Sequence, residues 1–325
     1  MPRYVAVLIS LACAAAAAVL TGLMVGSLNL SPQRVLFALA GQGDQLAGQI
    51  VWSVRLPRAL AAFAVGGLLA VAGALMQVML RNPLADPYVL GVSGGASVAA
   101  LLGLMAGMGT AQIALPAFLG ALGSIALVFG LARQGSGWNP ARLLLSGVGL
   151  AAGWWALIRF LLAVADPFHL PGMLFWLMGD LGAVVRTPWW ALAVLAILAG
   201  LALPLGRSLN VLARGSLQAR SMGVPVGRLQ PAIHIVAALA TASAVTVAGS
   251  VGFVGLVIPH LLRLVIGNDQ RLLIPAAALA GGGFLVLADT LARTILAPQQ
   301  LPVGVVTAFL GVPMFLYLLN RRIAR

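Results

Sequence analysis

Long apolar runs recur along the whole chain, separated by short polar or proline-containing loops. A helix needs about 20 apolar residues to cross a bilayer. Runs of that length, or close to it, span 4–28, 56–80, 89–108, 112–132, 142–165, 188–206, 229–250, 256–267, 272–293 and 303–320. The run at 256–267 is too short to cross and follows the glycine-rich GSVGFVG, so it predicts a half-helix or a broken helix. The pattern predicts an all-α membrane protein with about ten transmembrane helices and both termini on one side.

Composition excludes a soluble core. Hydrophobic residues make up 62% of the 325 residues and charged residues 8%, which are too few charges to cover a water-facing surface. The sequence contains no lysine, and a phosphate-binding P-loop requires one. If the protein takes part in ATP-driven work, another subunit must bind the ATP and its Mg, and we expect this chain to bind no cofactor.

Arginine placement predicts the orientation of the chain. With the N-terminus inside, thirteen arginines fall on the inner side and six on the outer side. The inner set is Arg3, Arg81, Arg133, Arg142, Arg207, Arg214, Arg220, Arg228, Arg263, Arg271, Arg321, Arg322 and Arg325, and the outer set is Arg34, Arg55, Arg58, Arg159, Arg186 and Arg293. Both termini are therefore expected in the cytoplasm. Because the arginines are spread over many loops and form no basic patch, nucleic acid is not an expected partner.

A weak internal repeat relates the two halves of the chain. The tripeptide VAG at 71–73 recurs at 247–249, a shift of 176 residues. The same shift relates Pro83 to Pro259 and Gly91 to Gly267. Many transporters are built from two such halves with a broken element in each. The repeat predicts two pseudo-symmetric halves of four or five helices, and chance agreement among common residues is the alternative.

Four sequence blocks resemble the membrane subunit of ATP-binding-cassette (ABC) importers for iron–siderophore complexes, haem and cobalamin. They are RLPRALAAFAVGGLLAVAGALMQVMLRNPLADPYVLGVSGGA at 55–96, GFVGLVIPHLLRLVIG at 252–267, ADTLAR at 288–293 and LPVGVVTAFLGVPMFLYLL at 301–319. The resemblance covers nearly the whole chain, and the blocks occur in the family's order and spacing.

The resemblance implies a type II ABC importer fold, with residues 1–325 as one permease domain of ten helices. It implies a homodimer with one translocation path between the copies, two ATPase subunits on the cytoplasmic face and a periplasmic substrate-binding protein outside. The chain is then a lipid-embedded transport subunit of the bacterial inner membrane and not an enzyme. Its cargo is a bulky metal chelate, and ferric siderophore, cobalamin and haem all stay open.

The resemblance assigns the outer arginines Arg55, Arg58 and Arg293 to docking of the binding protein, whose carboxylates they receive. Guanidinium groups pair bidentately with carboxylates at interfaces. Asp289 lies four residues before Arg293 and can pair with it on one helix face. The alternative is that the arginines only anchor the chain at the membrane surface.

The inner loop 207–228, RSLNVLARGSLQARSMGVPVGR, is the longest polar stretch of the chain. By resemblance it folds as short coupling helices that fit a cleft of the ATPase. The matching positions are Gly215, Ser216, Ala219, Arg220, Ser221, Met222, Gly223 and Val224. Family members often carry acidic residues just after the glycine, where this chain has Ser216 and Leu217. The alternative is a basic inner loop that only sets the topology.

The RNPLADP block ends an apolar helix at the predicted cytoplasmic side. Proline takes the preceding residue out of the helix, and Asn82 and Asp86 can satisfy backbone amides that the break frees. By resemblance the cytoplasmic gate consists of this turn and the loop before the fifth helix. The gate residues are Asn82, Pro83, Leu84, Asn139, Pro140 and Ala141. A helix cap without gating is the alternative.

The resemblance lines the translocation path mainly with the fifth and tenth helices. Arg159 on the fifth helix can meet an anionic group of the cargo, or it can extend toward the membrane surface. The three histidines show no metal-ligand spacing, so no metal site is predicted. An ion-coupled secondary transporter is the alternative function, but it usually needs a carboxylate at membrane depth. An intramembrane enzyme has no motif here.

Overall fold

The computed structural model describes the backbone of residues 2–134, 137–138, 140–184 and 186–323. Side chains are described in these ranges except at 2–3, 89–90, 110–111, 133–134, 137–138, 140–141 and 318–323. The helices are α1 (Pro2–Met24), α2 (Pro32–Leu39), α3 (Gln45–Ile50), α4 (Leu56–Met79), α5 (Val92–Met105), α6 (Thr110–Ala132), α7 (Pro140–Val164), α8 (Leu170–Leu177), α9 (Trp189–Ala202), α10 (Gly206–Leu212), α11 (Ser216–Ser221), α12 (Val226–Ala248), α13 (Val254–Ile266), α14 (Gln270–Thr294) and α15 (Val303–Ile323). The two-residue strands β1 (Arg133–Gln134) and β2 (Gly137–Trp138) pair antiparallel.

Within the described residues, six helical stretches are long and apolar enough to cross a membrane. They are Tyr4–Met24, Gln45–Met79, Gln112–Ala132, Arg142–Val164, Val226–Ala248 and Gln270–Thr294. Helices α9 and α10 meet at 65° and would count as a seventh, and α5, α13 and α15 provide shorter apolar helices. Each of the ten apolar runs contains one of these helices, which confirms the all-α membrane fold.

Helix α4 lies at the centre of the bundle. All its residues from Ala64 to Met79 are buried, and α14, α12, α13 and α9 pack around it. A helix that is apolar on every side is a buried helix, and here neighbouring helices cover it. Its ends therefore place the RLPR block and the RNPLADP block about 36 Å apart, at opposite ends of the bundle.

Glycines allow the neighbours of α4 to approach closely. A Cβ on Gly66 would overlap the carbonyl of Gly281 in α14, and a Cβ on Gly73 would overlap the carbonyl of Gly255 in α13. Small residues at crossings bring the backbones of membrane helices into direct contact. The glycine pairs thus fix where α14 and α13 cross the central helix.

Several details differ from the sequence-based expectation. The short helices α2, α3 and α8 were not predicted, and a π-helical turn at Val51–Arg55 joins α3 to α4. The predicted half-helix is confirmed as α13, which has 13 residues. The two prolines that the repeat aligns lie in different secondary structure, since Pro83 lies in a turn and Pro259 lies inside α13. The repeat itself stays a prediction.

Candidate functional site

Arg58 and Asp289 form a buried ion pair at the RLPR end of the bundle. The Nε of Arg58 donates to both carboxylate oxygens of Asp289 at 3.0 Å, and its Nη2 lies 2.9 Å from Oδ1. The side chains are 7% and 2% exposed. The remaining Nη1 donates to Oε1 of Gln300 at 2.7 Å. Gln300 was not predicted from the sequence, in which the pair of glutamines before the last apolar run is its only sign.

Arg293 and Arg55 also have partners inside the chain. The Nε of Arg293 lies 3.2 Å from Oδ2 of Asp289, as the spacing on α14 predicted. Arg55 donates to the carbonyls of Leu23 at 2.7 Å and Met24 at 3.0 Å, and also to that of Leu28. Asp289 therefore serves two arginines, while carbonyls at the end of α1 hold the third. We call Arg55, Arg58, Arg293 and Asp289 the arginine cluster. Docking of a binding protein by its three arginines stays a prediction.

The RNPLADP turn is held by the two polar side chains that the sequence singled out. Asn82 Oδ1 accepts from the amide of Leu84 at 3.0 Å, and Asp86 Oδ1 accepts from the amide of Tyr88 at 2.8 Å. Both bonds confirm the predicted capping. Burial raises the pKa of Asp86 to about 6, opposed by the hydrogen bond from Tyr88. Pro83 is partly buried in this turn. Arg81, the first residue of the RNPLADP block, has a φ of 47°.

The turn also contacts the second half of the chain. The hydroxyl of Tyr88 accepts from the amide of Val251 at 3.1 Å, within the glycine-rich segment before α13. The other predicted gate element is the start of α7. Asn139 lies outside the described residues, and Pro140 and Ala141 begin α7 with side chains that are not described. Gating therefore stays a prediction.

The inner loop forms two short helices, as the resemblance implied. Gly215, with φ of 137°, separates α10 from α11, and Gly223, with φ of 80°, follows α11. Positive φ values of this kind favour glycine. The amide of Val224 donates to the carbonyl of Ala219 at 2.9 Å and closes the end of α11.

Large apolar side chains are exposed on α11 and at the residue that follows it. Leu217 is 82% exposed and Met222 is 59% exposed, beside the exposed side chains of Arg220 and Ser221. Ala219 and Gly215 are buried, and Ser216 and Val224 are partly buried. The short helices thus present an apolar surface with a basic border, and contact with an ATPase stays a prediction.

Comparison with known proteins shows the family to which the chain belongs. The profile of the FecCD transport family matches residues 14–321. The chain belongs to this family. It is 43% identical to the vitamin B12 import system permease protein BtuC of Serratia proteamaculans, over 87% of this chain and 84% of the relative. It is 41% identical to the hemin transport system permease protein HmuU of Yersinia pestis, over 84% of each.

A solved structure agrees with the fold of this FecCD protein. It is described as an inward-facing conformation of a metal-chelate-type ABC transporter, is 29% identical in sequence and gives a TM-score of 0.86. The match covers 99% of this chain and 100% of that chain. The all-α fold of a type II importer permease is therefore shared over the full length.

Arg159 lies on α7 of the FecCD chain with its side chain exposed. It makes no hydrogen bond or ion pair with any residue that the structure describes. Trp155 and Phe160 beside it are exposed apolar side chains. A charged side chain on a membrane helix normally faces a water-filled space or a partner, so this face of α7 is a candidate wall of a path.

All six aspartates have hydrogen-bonding partners. Asp289 binds two arginines, and each of the others accepts from a backbone amide two residues ahead, namely Asp44, Asp86, Asp166, Asp180 and Asp269. Among the described residues, no three His, Cys, Asp or Glu side chains form a group that can hold a metal ion. The aspartates thus act as caps and as the anion of the arginine cluster.

Proposed function

We propose that this FecCD chain is the permease subunit of an ATP-driven importer that moves a bulky metal chelate from the periplasm to the cytoplasm. The observation that carries the proposal is the α10–α11 pair, whose exposed Leu217 and Met222 form an apolar surface on a segment that also carries arginines. The relatives named for vitamin B12 and hemin transport support the same cargo class. Ferric siderophore, cobalamin and haem are the candidate cargoes.

The α10–α11 surface is the contact for an ATPase subunit in this proposal. Exposed apolar side chains beside polar ones are typical of protein interfaces. The 65° bend between α9 and α10 turns this segment away from the direction of the preceding span. ATP and Mg bind to the partner, and the chain itself binds no cofactor. Both termini lie on the same cytoplasmic side.

The arginine cluster supports docking of the binding protein at the opposite end. Arg55, Arg58 and Arg293 carry three positive charges against one negative charge of Asp289, which leaves a net charge of +2. Such an excess attracts an acidic protein surface. Because the guanidinium groups already have partners inside the chain, the attraction acts through the field of the cluster together with its exposed edge at Gln300.

The translocation path runs between two copies of the chain, with the RNPLADP turn and the start of α7 as the cytoplasmic gate. Arg159 supports this assignment, because its side chain is exposed and has no partner among the described residues, and a charged side chain on a membrane helix normally faces water or a partner. An ion-coupled secondary transporter is the weaker alternative, since each of the six aspartates is engaged in a cap or an ion pair.

Substrate-stimulated ATP hydrolysis tests the proposal. The chain is co-purified with the ATPase and the binding protein encoded beside it and placed in lipid nanodiscs. Cobalamin, haem and a panel of ferric siderophores are then added, each with the binding protein. We expect one cargo class to raise hydrolysis. Leu217→Glu is expected to abolish both the rise and the co-purification of the ATPase, because a charge replaces the exposed leucine.

Leu46→Glu in α3 is the matched control, because it adds the same charge at an exposed leucine far from α11. It should leave association with the ATPase intact. The proposal fails if the wild-type chain binds no ATPase subunit and still transports a solute when an ion gradient supplies the driving force. In that case the secondary transporter is the correct function.

A further inference from the structure

A basic cavity of about 660 Å³ lies beside the RNPLADP turn, between the end of α4, α10, α13 and the start of α14. Three arginines line it from three different segments, Arg81, Arg214 and Arg263, together with Asp269. Three positive charges and one negative charge leave a net charge of +2. The cavity is distinct from the exposed face of α11 and from the arginine cluster at the other end of the bundle.

No carboxylate of the described residues forms an ion pair with an arginine of this basic cavity. Neither Arg81 nor Arg214 makes a side-chain hydrogen bond or ion pair with a residue that the structure describes. Arg263 donates from Nη2 to the carbonyl of Ala74 at 3.2 Å, and its buried Nε has no hydrogen-bond partner. An anion entering the cavity would therefore meet donors that are still available.

Asp269 does not neutralise these arginines because it is already engaged. Its carboxylate lies 2.7 Å from Nη2 of Arg271, and it accepts from Asn210 at 2.9 Å and from Tyr4 at 3.0 Å. The hydrogen bond from Arg271 holds the pKa of Asp269 well below its usual range. The carboxylate is thus a permanent anion bound to groups other than the cavity arginines.

Two buried amide oxygens add a second requirement for a ligand of the basic cavity, which is a hydrogen-bond donor. Gln77 and Gln270 line the cavity and are each 1% exposed. Their amino groups donate to the carbonyls of Leu256 and Asn268, and their Oε1 atoms have no hydrogen-bond partner. A buried acceptor without a partner costs about 1–3 kcal/mol. These oxygens are enclosed, so a ligand that is anionic and also carries hydroxyl donors would satisfy the arginines directly, and the oxygens once the glutamine side chains turn toward the cavity.

The surface beside the cavity is apolar. Leu264, which lines the cavity, is 64% exposed, and its neighbour Val265 is 77% exposed. We propose that this cavity binds a phosphate group with attached hydroxyls, as in the headgroup of an anionic phospholipid such as phosphatidylglycerol. Guanidinium groups match phosphate oxygens in geometry, and basic pockets between membrane helices take such headgroups. The acyl chains would cover Leu264 and Val265.

That the cavity opens toward the cytoplasmic leaflet rests on the orientation given under the proposed function, but binding itself does not. The isolated chain is therefore used for the test, without ATPase or binding protein. It is reconstituted into nanodiscs of phosphatidylcholine mixed with phosphatidylglycerol, and native mass spectrometry measures the lipid retained after detergent extraction. In a second arm, inorganic phosphate or pyrophosphate is added to phosphatidylcholine nanodiscs, and the thermal midpoint of unfolding is measured.

We expect the wild-type chain to retain phosphatidylglycerol, and the Arg81→Gln, Arg214→Gln double variant to retain about tenfold less, because charge-assisted hydrogen bonds to phosphate are lost. Arg207→Gln is the matched control, since Arg207 is exposed on α10 and does not line the cavity. It should keep the retention of the wild type. Arg214→Lys should give an intermediate value because the charge stays and the bidentate geometry is lost.

The outcomes separate the possible occupants. If only the soluble phosphates raise the midpoint, and the double variant abolishes that rise, the site binds phosphate from a soluble source. If neither probe depends on the cavity arginines in variants that unfold at the wild-type temperature, the proposal is wrong. Weakened ATPase association of the same double variant would then assign the cavity to an acidic side chain of that partner. If substrate-stimulated ATP hydrolysis fails but phosphatidylglycerol retention depends on the cavity arginines, the proposed function is wrong and the lipid site stands.

Discussion

Asp289 is the carboxylate that two arginines share at the RLPR end of the bundle. It accepts three hydrogen bonds from Arg58 and forms an ion pair with Arg293, and its side chain is 2% exposed. Its removal would leave two cations at the RLPR end without their anion. Breaking a buried pair in this way costs about 3–5 kcal/mol, because a charge stays buried without a counter-charge.

We therefore predict that Asp289→Asn lowers the thermal midpoint of the purified chain strongly, by an amount that corresponds to about 3–5 kcal/mol. Arg271→Gln is the comparison, because it removes an ion pair to Asp269 whose side chains are 46% and 20% exposed, against 7% and 2% for Arg58 and Asp289. Such surface pairs contribute about 0–1 kcal/mol. Equal effects of the two substitutions in thermal unfolding would contradict a structural role for Asp289.

In the arginine cluster, spacing along the sequence predicted one of the two ion pairs of Asp289 and not the other. The sequence predicted that Asp289 pairs with Arg293 four residues later, and the structure confirms it. It did not predict that Arg58 shares the carboxylate, since these residues are 231 positions apart. A charge swap at Arg55 or Arg293 would therefore disturb the fold as well as any docking.

At the scale of helices, the crossing of α4 and α14 depends on backbone contact at Gly66 and Gly281. A Cβ on Gly66 would meet the carbonyl carbon and oxygen of Gly281, which belong to backbone and cannot rotate away. We predict that Gly66→Ala destabilises the chain by about 1–3 kcal/mol, because the two helices must separate. Thermal unfolding in detergent measures the loss.

Gly123→Ala in α6 makes the same chemical change in open space, because no atom lies within 4 Å of the added Cβ. Alanine has the higher helix propensity, so this control should keep or slightly raise the midpoint. A drop as large as that of Gly66→Ala would mean that the crossing does not depend on close contact.

Most helices could be predicted because nearly all the apolar runs are long and have clear polar ends. The short helices α2, α3 and α8 could not, since α2 and α3 lie in mixed segments and α8 is too short for a bilayer-length pattern. The capping roles of Asn82 and Asp86 followed from local turn chemistry. The basic cavity could not be predicted from the sequence, because Gln77, Arg214 and Arg263 come together only through the packing of α4, α10 and α13.

At the scale of the whole molecule, the two ends of α4 carry different chemistry. One end holds the arginine cluster, and the other holds the capped turn with the basic cavity and the α10–α11 pair nearby. On α7, the exposed side chain of Arg159 has no hydrogen-bond or ion-pair partner among the described residues. A second copy of the protein can shield such a side chain and enclose water beside it.

Water access to residue 159 therefore tests the proposed path between two copies. In a Cys13→Ser background, Arg159→Cys should react with a membrane-impermeant maleimide, because a thiol needs water to ionise and react. Leu115→Cys is the matched control, since Leu115 is exposed five residues from the start of α6 and Arg159 lies five residues from the end of α7. We expect Leu115 to face lipid, so this cysteine should stay unlabelled. An unlabelled Arg159→Cys would show that this face of α7 does not line an aqueous path, and equal labelling of both cysteines would show that the reagent reports nearness to the membrane surface and not a path.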